Sequence, residues 1–127
     1  MPFVRISHTA GKAEGYAPAL SQGVHSALVS TFNVPADDLF QVVTEHAVKS
    51  GLICTDRYLG IDHTADMVLI QITVSEGRNV DQKKALYRAI VDNLAAAPGV
   101  RREDVIINLI ETKKENWSFG MGLAQYT

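Results

Sequence analysis

Proline stands at position 2, directly behind Met1, and an alternating stretch follows at once: Pro2-Phe3-Val4-Arg5-Ile6-Ser7. Removal of the first methionine is usual before a residue as small as proline, and it would leave a secondary amine at the tip of a strand. An α-amino group has a reference pKa of about 8, so it gains or loses a proton near neutral pH. It is also nucleophilic toward carbonyl carbon. The plainer reading is a strand whose first residue happens to be proline, which strands tolerate. Arg78, in Ser75-Glu76-Gly77-Arg78-Asn79, offers a guanidinium fork that fits a carboxylate at two points, against the commoner fate of a solvated loop arginine. Asp38 and Asp104 precede strand-like segments in equivalent positions, a duplication that suits a capping or turn role for both. His46 and His63 lack ligand spacing with Cys54 or the acids, so no metal site is expected. Gly120 and Gly122 follow Trp117 without the strand-to-helix setting that phosphate loops need.

The elements that must position these residues come from an internal repeat. Sliding the chain by 66 residues places Pro2-Phe3-Val4-Arg5-Ile6-Ser7 on Val68-Leu69-Ile70-Gln71-Ile72-Thr73. Ala19-Leu20, Gly23-Val24 and Leu28 fall on Ala85-Leu86, Ala89-Ile90 and Leu94, the stripe of a helix with one buried face. Two copies of this length are a duplicated β-α-β unit, not a solenoid. The expected segments are strand 2–8, helix 16–32 and strand 39–46, then strand 67–75, helix 81–97 and strand 104–112. Pro18 suits a first helical turn, Asn79 with Gln82 reads as a capping box, and Pro35 and Pro98-Gly99 stop the helices. Helical crossovers join parallel strands with a right-handed connection. The fold class expected is therefore α/β, a two-layer α+β sandwich with a four-stranded mixed sheet and two helices on one face.

Residues 1–127 then form one domain of two repeats, about 2–46 and 67–112, with an aromatic C-terminal tail. Residues 47–65 break both periodicities and read as loop with a short hairpin. The uncovered sheet face, to which Phe3, Leu69 and Ile107 are assigned, is apolar enough to require an oligomer. Trp117, Phe119 and Tyr126 in the tail are expected to dock on this subunit or a neighbour. A net charge of −2 gives no nucleic-acid footprint, and no run spans a bilayer. One cysteine and no leader suggest a cytoplasmic protein without disulfides.

A proline behind Met1, two fused β-α-β units and this length together resemble the tautomerase superfamily, whose members use an amino-terminal proline as catalyst. The chain is most similar to the malonate semialdehyde decarboxylase group. The segments that carry the resemblance are Phe32-Asn33-Val34-Pro35-Ala36-Asp37-Asp38, Asp81-Gln82-Lys83, Glu103-Asp104-Val105-Ile106 and Asn116-Trp117-Ser118-Phe119-Gly120-Met121-Gly122. They cover essentially the whole chain, and the Trp-Ser-Phe-Gly segment is the most specific.

The resemblance implies catalytic roles for Pro2, Asp38 and Arg78, with Trp117 and Phe119 as an aromatic wall at the substrate. His25 matches a histidine of the group and equally suits a structural role. Glu76 stands where the group has a further arginine, a departure that bears on the substrate. The implied function is cofactor-independent keto–enol tautomerisation of a small 2-oxo or enol acid, with Pro2 as acid or base and no cofactor. The alternatives are a malonate semialdehyde decarboxylase or hydratase, and a non-catalytic binding module of the same fold. A homotrimer is implied, with a small carboxylate-bearing oxo acid as substrate and neither nucleic acid nor membrane as partner.

Overall fold

The computed structural model describes all residues from Met1 to Thr127. Its elements in chain order are β1 (Phe3–Thr9), α1 (Tyr16–Phe32), β2 (Gln41–His46), β3 (Arg57–Tyr58), β4 (Ile61–Asp62), β5 (Val68–Ser75), α2 (Val80–Ala96) and β6 (Val105–Thr112). The duplicated unit is present as expected. The main sheet runs β2-β1-β5-β6, with β1 and β2 parallel, β5 and β6 parallel, and β1 antiparallel to β5 at the centre. The linker between the halves holds the small antiparallel hairpin of β3 and β4.

Alternation along β1 and β5 sends Val4, Ile6, Val68, Ile70, Ile72 and Val74 to the helix side, where they are buried. Leu20, Val24 and Leu28 of α1 and Leu86, Ile90 and Leu94 of α2 close over them in one apolar cluster. Truncating any one of the fully buried leucines or isoleucines to alanine costs about 2–5 kcal/mol. The helices approach closely at Gly23, where an added Cβ would come within 2.7 Å of Leu94. Asn93 Nδ2 also donates to Gly23 O there, at 2.9 Å.

The helix ends follow local chemistry. Asn79 accepts from Gln82 N–H, and the Gln82 side chain accepts from Asn79 N–H, a reciprocal capping box that opens α2. Asn33 ends α1 in the left-handed region at φ 56°, a conformation asparagine tolerates better than most residues. One assignment of faces needs correction. Ile107 packs with Val105 and Leu109 against the core, whereas Ile106 and Ile110 face out with Leu69 and Phe3. The run Val105-Ile106-Ile107 has no polar alternation, so periodicity alone could not decide which residue points inward.

Candidate active site

The topology gathers the chemistry-bearing residues at one end of the sheet. β1 begins there; β5, antiparallel to it, ends there; β2 begins and β6 ends there because each runs parallel to its neighbour. Pro2 opens β1, Asp38 precedes β2, Arg78 follows β5 and Trp117 follows β6. The four therefore converge from four separate segments of the chain. His8 does not join them. It lies at the far end of β1, buried, with Nδ1 at 2.8 Å from Thr9 O and its ring edge-on to Tyr16. Strand direction puts it at the end of the sheet opposite Pro2.

Pro2 is buried. With Met1 attached, the terminal amine lies 4.0 Å from Asp38 Oδ2. Burial lowers the pKa of this amine below the ordinary 8.0; Asp38 opposes that shift and the positive Arg78 adds to it. Asp38 is held in a turn in which its N–H donates to Pro35 O at 3.0 Å. His25 Nε2 lies 2.8 Å from Ala36 O in the same turn, so this histidine secures the segment that carries Asp38. Burial raises the Asp38 pKa, with the terminal amine and His25 opposing and Asp37 reinforcing. One carboxylate oxygen, Oδ1, is buried with no partner.

The duplicate carboxylate has the opposite fate. Asp104 is fully buried and accepts from Thr64 N–H at 2.8 Å, from the Thr64 hydroxyl and from Arg101. A turn role thus fits Asp104 and leaves Asp38 unaccounted for. A buried acceptor without a donor is costly to keep unless something else uses it.

Arg78 donates through Nη1 to Ser75 O at 3.2 Å and through Nη2 to Phe32 O at 2.9 Å, and its guanidinium lies over the Phe32 ring at 4.7 Å. These contacts fix the fork and leave further N–H donors on it. Glu76, in the same loop, is exposed, and its N–H extends the sheet to Thr112 O.

Beside the amine lies a cavity of about 240 Å³ lined by Met1, Pro2, Phe3, Phe40, Trp117, Ser118 and Phe119. Trp117 and Phe119 stack with centroids 5.6 Å apart and planes 16° apart. Trp117 Nε1 is buried without an acceptor. Asp38 and Arg78 are not in this lining; Asp38 lies by the amine, and Arg78 acts on it through its charge. Phe40 was not singled out from the sequence, because its place in the wall depends on β2 starting beside Pro2 rather than on any local pattern. The one local hint is its position just before a strand, where Phe40 O accepts from Val4 N–H at 3.0 Å.

Two family models, each described as Tautomerase enzyme, match residues 38–120 and 2–53. The chain is 40% identical over 125 residues to Probable tautomerase YusQ of Bacillus subtilis (strain 168), covering 98% of both chains. It belongs to the tautomerase family of enzymes. Among solved structures, this family member resembles an FG41 malonate semialdehyde decarboxylase inhibited by 3-bromopropiolate. The identity is 35% and the TM-score 0.91, covering 98% of this chain and 93% of that one. A fused 4-OT described as a symmetric trimer shares the fold, with a TM-score of 0.78 at 21% identity over 95% of this chain and 94% of that one. No helix is long and apolar enough to cross a membrane.

Proposed function

We propose that Met1 is removed and that the Pro2 amine so exposed catalyses keto–enol tautomerisation of a small 2-oxo acid. The observation that carries this reading is the chain-terminal amine 4.0 Å from Asp38 Oδ2, on a carboxylate whose other oxygen, Oδ1, is buried without a partner. In its neutral form Pro2 takes a proton from the carbon next to the oxo group. The electron pair moves to the oxo oxygen, and the ammonium returns the proton there; the reverse reaction runs through the same positions. Arg78 holds the substrate carboxylate and offsets the charge that grows on oxygen. Asp38 orients the amine or the transferred proton. Trp117 and Phe119 exclude water, and with Phe3 and Phe40 they favour a flat apolar substrate body, as in an arylpyruvate. The assembly is a homotrimer, and the site of action cytoplasmic.

A second reading, decarboxylation or hydration of malonate semialdehyde with protonated Pro2 polarising the carbonyl, is favoured by the 35% identity to a decarboxylase of that name. The exposed acid Glu76, where that group has an arginine, counts against it. Proton NMR of the protein with phenylpyruvate enol and with malonate semialdehyde separates them. Loss of enol signal to ketone supports tautomerisation; acetaldehyde supports decarboxylation.

The pH dependence gives an independent sign. Burial holds the Met1 amine below the ordinary 8.0, and Pro2 is itself buried, so the Pro2 amine exposed on loss of Met1 is expected to have a pKa lowered in the same direction. For a base, kcat/KM rises as pH rises through that value and then levels. For an acid, it falls across the same interval. We expect the rising profile with enol acids, measured by stopped-flow absorbance; a falling one would reject the base role.

A further inference from the structure

The chain does not end at the aromatic wall. Gly120, Met121 and Gly122 have φ of 129°, 58° and 69°. Glycines bear two of these three left-handed positions, and Met121, at the third, keeps its side chain in solvent. This reversal brings residues 123–127 back onto the segment they have just left. Gln125 Oε1 accepts from Phe119 N–H at 2.9 Å, and Gln125 Nε2 donates to Gly120 O at 3.2 Å. One side-chain amide thus holds two consecutive residues by both its ends. Tyr126 meets the Phe119 ring edge to face, with centroids 4.8 Å apart and planes 69° apart. Phe119 is therefore held between Tyr126 and Trp117, while its backbone is gripped by Gln125. The longer family match stops at residue 120, so both gripping residues lie beyond it.

We infer that Gln125 and Tyr126 form a clasp that fixes the Trp117–Phe119 wall and so sets the affinity of the cavity for its substrate. The inference rests on the reading of that cavity as the substrate site. The glycine-flanked wall segment would otherwise sample several arrangements, and substrate binding would have to order it; a wall ordered in advance binds more tightly. Both are positioning residues: they touch Phe119, and Phe119 faces the cavity. Because the wall contacts the substrate body and not the transferred proton, their loss falls on KM rather than kcat.

Trp117 is the only tryptophan, so its emission reports on the wall directly. The test compares wild type, Gln125→Ala, Tyr126→Ala and Gln125→Glu, with phenylpyruvate as probe. Acrylamide quenching of Trp117, equilibrium binding of the probe, steady-state kinetics and thermal melting are measured on each. In both alanine variants quenching is expected to rise and KM to increase about three- to tenfold, the range of one or two lost hydrogen bonds or a ring contact, with kcat within about twofold. Gln125→Glu keeps the acceptor for Phe119 N–H and recovers part of the affinity. Unchanged quenching and KM overturn the inference, as does increased quenching with unchanged KM. A fall in kcat that tracks a fall in melting temperature reduces the clasp to a stability role and also overturns it. If wild type binds the probe without turning it over, weaker binding in the alanine variants still sustains the clasp while the catalytic reading fails. If the probe leaves wild-type Trp117 emission unaltered, the cavity is not the substrate site and the clasp's role falls with it.

Discussion

Asp38 and Asp104 descend from one position of the repeat and now do different physical work. Asp104 is fully buried and its carboxylate is hydrogen-bonded on both oxygens; Asp38 keeps Oδ1 buried and unpaired, with Oδ2 4.0 Å from the terminal amine. Because burial raises its pKa, the folded chain holds the Asp38 proton more tightly than the unfolded chain does. The sign follows from linkage: the ionised carboxylate subtracts stability as pH rises above the ordinary 3.8 and through the raised value. Asp38→Asn should therefore melt at a higher temperature at pH 7 while kcat/KM falls about 10²-fold, within the range for a group that assists proton transfer. Calorimetry and steady-state kinetics on one preparation check both. A lower melting temperature with unchanged kcat/KM would make Asp38 an ordinary turn residue. The role proposed for Asp38 was legible only through resemblance, because its spacing is shared by Asp104, whose carboxylate is satisfied within the fold.

At the scale of elements, the start of α2 links stability to the site. The Asn79–Gln82 box fixes the first turn of that helix, and Arg78 is the residue immediately before it. Asn79→Ala should cost about 1 kcal/mol, the usual loss for a cap, and lower the melting temperature by roughly 3–6 °C in a domain of this size. If the cap also steadies Arg78, KM for an acid substrate rises in the same variant; a neutral substrate analogue would show no such rise. This box was readable in full, since Asn and Gln at the required spacing have a local mechanism. So was α1, expected at 16–32 and found at Tyr16–Phe32. The cavity wall was readable in part. Trp117 and Phe119 stand out as aromatics in an aperiodic tail. Phe40 joins them only through strand adjacency, and Gln125 only through a reversal made by glycines.

For the whole molecule, duplication produced two sheet ends that are related but not equivalent. At the end opposite Pro2, the counterpart of its nitrogen is the Val68 peptide, Lys12 takes the place of Arg78, and Lys12 is paired to Asp66. One site per chain is therefore expected. The helix-free sheet face carries Phe3, Val42, Leu69, Ile106 and Ile110 around a polar row of Arg5, Gln71 and Asn108. Such a face suits another subunit better than water, and its polar row gives the contact a register. Ile106→Lys places a charge in its middle; light scattering should then show a smaller species than wild type, with little change in monomer secondary structure. A wild-type protein that is itself monomeric would remove the assembly from the account.

Nitrogen NMR of protein labelled with 15N-proline, followed through pH, tests the amino-terminal proline most directly. Only an amino-terminal proline has an amine nitrogen; the other three of the four prolines are in peptide bonds. One amine resonance is expected from Pro2, titrating below the pKa of a disordered peptide that begins Pro-Phe-Val, and moving when Asp38 is replaced by Asn. Four peptide-type resonances, or an amine that titrates at or above the peptide value and ignores Asp38, would contradict this expectation.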